Sequence, residues 1–193
     1  LTSLSQYGNE RDVEVPYVLK HTRGPLVLDV GKDKVGYTRT LEEMGYTVDA
    51  CDPDPNSRAT YPERFEDCIT TKVYDTVLFI SSLEHFSPTV RNMSSLESEI
   101  CCIAKARLLL KEWGVIIITV PFGEERLYGD FIQWSMTRLR MIKRAVAANT
   151  ITQMFYKWDG EKWLVCGPED CEGVEYQSNG AGGAAAVYMG VWR

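Results

Sequence analysis

The sequence predicts a three-layer α/β fold on a mostly parallel, seven-stranded sheet whose C-terminal strand runs antiparallel. Three observations carry this expectation. An apolar segment, Leu26–Val30, runs into Gly31 and a helical pattern, and a second apolar segment, Thr47–Cys51, ends on Asp52. Strand-like and helix-like segments then alternate, the layout that covers both faces of a parallel sheet. The last two strand-like segments, about Ile151–Lys157 and Ala184–Trp192, have no helix between them, so the final strand must run against its neighbour.

Taken in order, Arg11 to Lys20 reads as a helix within an N-terminal flap of residues 1–23. After the first strand, Tyr37, Leu41 and Met44 recur at helical spacing, and Gly45 is a natural stop. Asp52-Pro53-Asp54-Pro55-Asn56 is a turn that can open a short helix, and a weak third strand is expected near Asp67–Thr70. Tyr74–Ser81 is a nearly continuous apolar run of the kind a buried parallel strand shows. Asn92–Lys111 is the longest predicted helix, with Leu96, Ile100, Ile103 and Ala104 on one face. Glu112-Trp113-Gly114 turns into Val115–Val120, the most β-prone segment. Phe131–Val146 reads as an amphipathic helix through Ile132, Met136 and Leu139. Residues 159–182 form a polar, aromatic-bearing insertion between the last two strands, and all 193 residues are expected in one domain.

Composition narrows the function classes. Hydrophobic residues make up 45% and charged residues 25%, ordinary for a globular protein. No run reaches the length of a membrane span, and the N-terminus lacks a signal peptide's apolar core, although the chain starts at Leu1 rather than Met. A net charge of −6 argues against a long nucleic-acid footprint. The six cysteines form no framework, which fits reduced thiols and a cytoplasmic location. Cys166 and Cys171 bracket a Gly-Pro-Glu-Asp turn and are spaced to bridge or to bind a metal, but no second pair accompanies them. A homo-oligomer is compatible with all of this.

The first two strands have the layout of a nucleoside-binding βαβ unit. Gly31 lets backbone approach a ligand, and Asp52, at the tip of the second strand, is placed to accept hydrogen bonds from ribose hydroxyls. Asp52 also suits the start of a Pro-containing turn, but its position twenty-one residues after Gly31 favours ribose. Asp29 ends a buried strand and needs a partner to offset its desolvation. His21 and His85 are the only histidines.

From here the chain resembles the class I S-adenosylmethionine-dependent methyltransferases, from about Arg11 to the C-terminus. Val27-Leu28-Asp29-Val30-Gly31 looks like the family's first motif, and Asp52 falls where its ribose-binding acid sits. Tyr74–Ser81 followed by Ser82-Leu83-Glu84-His85 is similar to its fourth-strand motif, which often ends in Leu-Glu-His. Ala106–Gly114 leading into Val115–Val120 looks like its turn into strand five. The ending Thr119–Gly123, with Arg11-x-x-Glu14-x-Pro16, is similar to a branch often associated with bacterial surface-polysaccharide and natural-product clusters. The chain departs from the family at the glycine loop, where Lys32-Asp33-Lys34-Val35-Gly36 follows Gly31.

The resemblance implies a Rossmann-like methyltransferase fold and methyl transfer from S-adenosylmethionine, with S-adenosylhomocysteine as product. The acceptor would be an oxygen or nitrogen of a small molecule, a sugar or glycosylated metabolite among them. It also implies cofactor contacts from Asp29, Gly31, Asp52, Asp67 and Ser81. Glu84 and His85 become candidates for catalysis, with His85 able to take an acceptor's proton. Equally, the pair can cap the following loop. In related quinone-pathway enzymes an acid-x-x-Glu-His segment binds a divalent metal; Ser81 replaces the first acid here, so no metal is expected. Arg11, Glu14 and Tyr17 either close over the cofactor or pack an N-terminal helix. Tyr128, Gln133, Trp134, Tyr156, Trp158 and Trp163 fall in regions that flank the pocket in this fold. Because of the altered loop, the alternative is a degenerate, non-catalytic member that binds a nucleoside or a partner. An NAD-dependent oxidoreductase is disfavoured by the poor glycine pattern and the lack of a Tyr-x-x-x-Lys signature. A base methyltransferase is disfavoured because its Asn/Asp-Pro-Pro-aromatic motif is replaced by Ser81-Ser82-Leu83-Glu84.

Overall fold

The apolar run Leu26–Val30 forms strand β1, which pairs in parallel with β2 (Thr47–Cys51) on one side and β3 (Tyr74–Ile80) on the other. These strands belong to a computed structural model that describes residues 9–31, 36–86 and 94–193. β4 (Leu110–Pro121) continues the parallel set beside β3. β9 (Ala186–Trp192) then runs antiparallel to both β4 and β7 (Thr150–Trp158), and β8 (Trp163–Cys166) closes the edge. The order is β2-β1-β3-β4-β9-β7-β8, a seven-stranded sheet with the reversed C-terminal strand that the sequence predicts.

The two faces bury different helices. Leu28, Phe79, Ile116 and Ile118 pack beneath α3 (Ser95–Leu108) and α4 (Met136–Ala145) through Cys102, Ile103, Leu139 and Ile142. Val27, Leu78, Ile117 and Val187 face α1 (Arg11–His21) and α2 (Tyr37–Glu43) through Tyr17, Val18, Tyr37 and Leu41. This in–out alternation along each strand gives three layers. α1 packs against α2, β4 and β9, so the helix predicted within a flap is part of the sheet's cover. No helix among the described residues is long and apolar enough to cross a membrane.

Five expectations need correction. Asp67–Thr70 is not a strand; Phe65–Asp67 is a turn, held by Lys105 Nζ donating to the carbonyls of Phe65, Glu66 and Cys68 at 2.5, 3.2 and 2.6 Å. The turn after Asp52 opens no helix. The seventh strand is instead β8, within the stretch read as an insertion. The predicted helix from Phe131 begins only at Met136, because Phe131–Gln133 (β6) pairs with Arg126–Tyr128 (β5) and the Ser135 hydroxyl caps the Arg138 N–H at 3.1 Å. β4 also starts earlier than Val115. The expected turn at Glu112–Gly114 is a bulge, where the register slips between Tyr74 and Thr76.

Candidate active site

Ligands in open α/β sheets collect at the carboxyl ends of the strands, where the order reverses. Here that point lies between β1 and β3, with β2 leading away on one side and β4 on the other. A cavity of about 510 Å³ opens there, within the roughly 300–1,000 Å³ of small-molecule sites. Gly31, Asp52, Ser81 and His85 all line it, from three different strand ends.

Gly31 has φ of 83°, and a Cβ there would lie 2.6 Å from that of Ser82, so glycine lets the two strand ends meet. Ser81 adopts φ of 42°, a left-handed conformation that costs a non-glycine residue about 1–2 kcal/mol. Its N–H donates to the Thr119 carbonyl at 3.0 Å, and its hydroxyl donates to Glu14 Oε1 at 2.7 Å, which holds the turn. Asp52 is buried at the end of β2, with its Oδ1 accepting the Asp54 N–H at 2.7 Å. Arg11 reaches the cavity from α1, pairing with Glu14 at 2.6 Å and donating to the Ile80 carbonyl at 3.4 Å.

Other residues that the sequence singled out lie elsewhere. Asp29 is buried and accepts the Tyr37 hydroxyl at 2.6 Å; Tyr37, not Asp29, reaches the cavity. Asp67 is exposed on its turn and does not line the cavity, whereas its neighbour Glu66 does. Glu84 is buried behind the wall with Oε2 lacking a partner. Burial raises its carboxyl well above the ordinary range; Glu14 and Glu10 add to the rise and Arg11 opposes it. His85 is half exposed, with Nδ1 3.5 Å from Asp130 Oδ2. Tyr17 is buried against His21, at 4.4 Å between ring centroids. Trp134 is sealed in the core on Glu99, and Tyr156, Trp158 and Trp163 belong to the C-terminal half of the sheet. Lys32, Asp33, Lys34 and Val35 lie outside the described residues.

Ser82, expected beside Ser81 at the mouth of the strand, lines the cavity, and sequence reasoning missed Pro53, Arg64, Phe65, Glu66 and Phe86, which also line it. Three of the cavity's lining residues keep a buried polar atom without a protein partner: Ser82 Oγ, Arg64 Nε and Glu66 Oε2. Unsatisfied buried groups are costly, so these three give the wall polar atoms that a bound ligand would satisfy. Cys166 and Cys171 are free thiols 3.5 Å apart at the far edge of the sheet, and no cluster of three metal-binding groups occurs among the described residues.

No protein-family model matches the chain, and no curated protein matches its sequence. Its shape does match solved structures. An N1-methyltransferase for 1,6-didemethyltoxoflavin from Burkholderia thailandensis, bound to that compound and S-adenosylhomocysteine, superposes with a TM-score of 0.62 at 16% identity, over 95% of this chain and 76% of that one. A SAM-dependent methyltransferase from Leishmania major gives 0.64 at 9% identity, over 95% and 73%. The N-methyltransferase NodS from Bradyrhizobium japonicum gives 0.61 at 12% identity, over 95% and 94%. With its sheet order and its cavity at the strand-order reversal, the chain has the Rossmann-like fold of the class I S-adenosylmethionine-dependent methyltransferases.

Proposed function

We propose that this chain is a methyltransferase that uses S-adenosylmethionine to methylate an oxygen or nitrogen of a small molecule. The observation that carries the reading is the cavity wall. Asp52 and Gly31 occupy the nucleoside positions of a βαβ unit, and three lining side chains keep polar atoms that no protein group satisfies.

The residues present fit that cofactor. Asp52 would take the ribose hydroxyls and Glu66 the adenine amino group, with Phe65 and Pro53 as the apolar walls beside them. Arg11 would face the methionine carboxylate, and the Gly31 backbone would lie against the same end. Asp29 contributes through Tyr37, whose hydroxyl it holds. When bound, S-adenosylmethionine supplies an electrophilic methyl group on a sulfonium. The chain's part is then alignment of the acceptor and removal of its proton. His85, on the cavity wall beside Asp130, is the group assigned to that proton. Glu84 does not reach the cavity, so its role is to support the turn that carries His85.

Calorimetry with S-adenosylhomocysteine tests the reading. Loss of a hydrogen bond to a charged acceptor costs roughly 1.5–3 kcal/mol, so Asp52→Ala should weaken binding at least about tenfold while the fold is retained. Equal affinities would remove Asp52 from the ribose role. No binding to the unaltered protein would favour a degenerate, partner-binding chain.

A further inference from the structure

Next to His85 and Asp130 on the cavity wall stand aromatic side chains that do not themselves line the cavity and that the cofactor reading leaves unused. The His85 ring meets Phe131 at 5.6 Å between centroids. Phe131 lies 5.6 Å from Tyr128 with the planes only 19° apart, and meets Tyr176 edge-on at 4.9 Å. Tyr128 and Tyr176 complete the triangle at 5.5 Å. All three rings are only half buried, unlike the sealed group Phe122, Phe155 and Tyr188 in the core.

The triangle is held rigidly. The Tyr176 N–H donates to the Tyr128 hydroxyl at 3.2 Å, tying the Tyr176 segment to the β5–β6 hairpin. The buried Gln133 amide donates to the carbonyls of Glu124 and Val174 at 3.0 and 2.7 Å, and Gly123 leaves room for that approach because a Cβ there would strike the Val174 carbonyl. The charges nearby are uneven. Arg126 lies over the Tyr128 ring at 5.6 Å but is matched by Glu175 at 3.7 Å, and Arg11 is matched by Glu14. Asp130 stands on the His85 side.

We infer that Tyr128, Phe131 and Tyr176 form the acceptor platform, which takes a flat aromatic ring that is neutral or positively charged and presents it beside His85. The inference rests on the methyl-transfer reading and adds the acceptor's class to it. Stacked and edge-on ring pairs, and cations over ring faces, each contribute favourably, whereas an anion would meet the negative ring faces and Asp130.

The test uses protein loaded with S-adenosylhomocysteine and three probes followed by ligand-observed NMR: tryptamine, indole-3-acetate and glucosamine. Tryptamine should bind at least about fivefold more tightly than either of the others, because glucosamine lacks the flat ring and indole-3-acetate carries an anion. Phe131→Ala should weaken tryptamine by roughly three- to tenfold and leave S-adenosylhomocysteine affinity within about twofold, while Phe131→Trp retains both. Should the alanine variant fail to fold, Phe131→Leu gives the same comparison. Glucosamine or indole-3-acetate binding as tightly as tryptamine would overturn the platform. So would indifference of tryptamine to Phe131, or no tryptamine binding at all. If the protein takes up no S-adenosylhomocysteine, the methyl-transfer reading falls by itself, and Phe131-dependent tryptamine binding to the unloaded protein still decides the platform.

Discussion

Glu99 on α3 and Glu84 on the turn after β3 are both buried, and burial raises the carboxyl of each, yet the chain treats them in opposite ways. Glu99 accepts the Trp134 indole N–H at 3.0 Å and the Arg138 guanidinium at 2.8 Å. Arg138, itself buried, also donates to Ser95 Oγ at 2.8 Å and pairs with Glu125 at 3.3 Å. Glu84 keeps one oxygen without a partner. Its situation is shared by Ser82, Arg64 and Glu66, which line the cavity. The completed network joins α3, α4 and the β5–β6 hairpin into a framework, while the incomplete groups of Ser82, Arg64 and Glu66 line the cavity, where a ligand would complete them.

The comparison breaks most visibly at Glu99. Glu99→Ala would leave the Arg138 charge and the Trp134 N–H buried without their acceptor, and removal of one partner from a buried pair costs roughly 3–5 kcal/mol. Urea unfolding should show a loss of that size. A loss under about 1 kcal/mol would erase the distinction between framework and site.

A smaller effect is expected with pH. The Glu99 carboxyl is raised from its ordinary 4.5 to about 7, so the folded state holds this proton after the unfolded chain has released it. The stability tied to it is complete below about 4.5 and is lost as pH rises through about 7, at up to roughly 1.4 kcal/mol per pH unit. Glu84 acts in the same direction, from 4.5 up through its own raised value. Glu84→Gln removes only this second contribution, because the amide cannot ionise. Measured against the unaltered protein, the variant should gain relative stability between pH 5 and pH 8. Other groups cancel in that difference, including His21, whose burial-lowered pKa works the opposite way. A flat difference would mean that Glu84 finds a partner in solution.

The smallest expected change is in ligand affinity. Since Glu84 stands behind the wall, Glu84→Gln should leave S-adenosylhomocysteine binding within about twofold, below the threefold that roughly 0.6 kcal/mol represents. A tenfold loss would place Glu84 in the site after all.

Much of this organisation can be read in the sequence, and where reading fails the reason is physical. β1 and β2 lie where the sequence puts them, because an apolar run bounded by Gly24-Pro25 and Gly31, or by Gly45 and Asp52, leaves little choice of register. Asp52, Gly31, Ser81 and His85 reach the cavity for the same reason, since each ends or closely follows a strand whose position is fixed. The 61–70 segment resists such reading. Beyond a single bridge from Tyr61 to Cys51 it pairs with no strand, and Lys105, some forty residues away, shapes its turn, so Glu66 rather than Asp67 faces the cavity. β8 escapes because it is a short edge strand whose Leu164 and Val165 stay exposed, with no burial pattern to mark them. Phe131 sits in an amphipathic pattern continuous with α4, and only the pairing with Tyr128 takes it out of the helix.

A crystal structure of the protein grown with millimolar S-adenosylhomocysteine tests the central claim most directly. The expected density fills the cavity between β1 and β3, with ribose hydroxyls on Asp52, the adenine amino group on Glu66 and the carboxylate toward Arg11. Density elsewhere on the molecule, or a cavity holding only water at that concentration, would contradict the account.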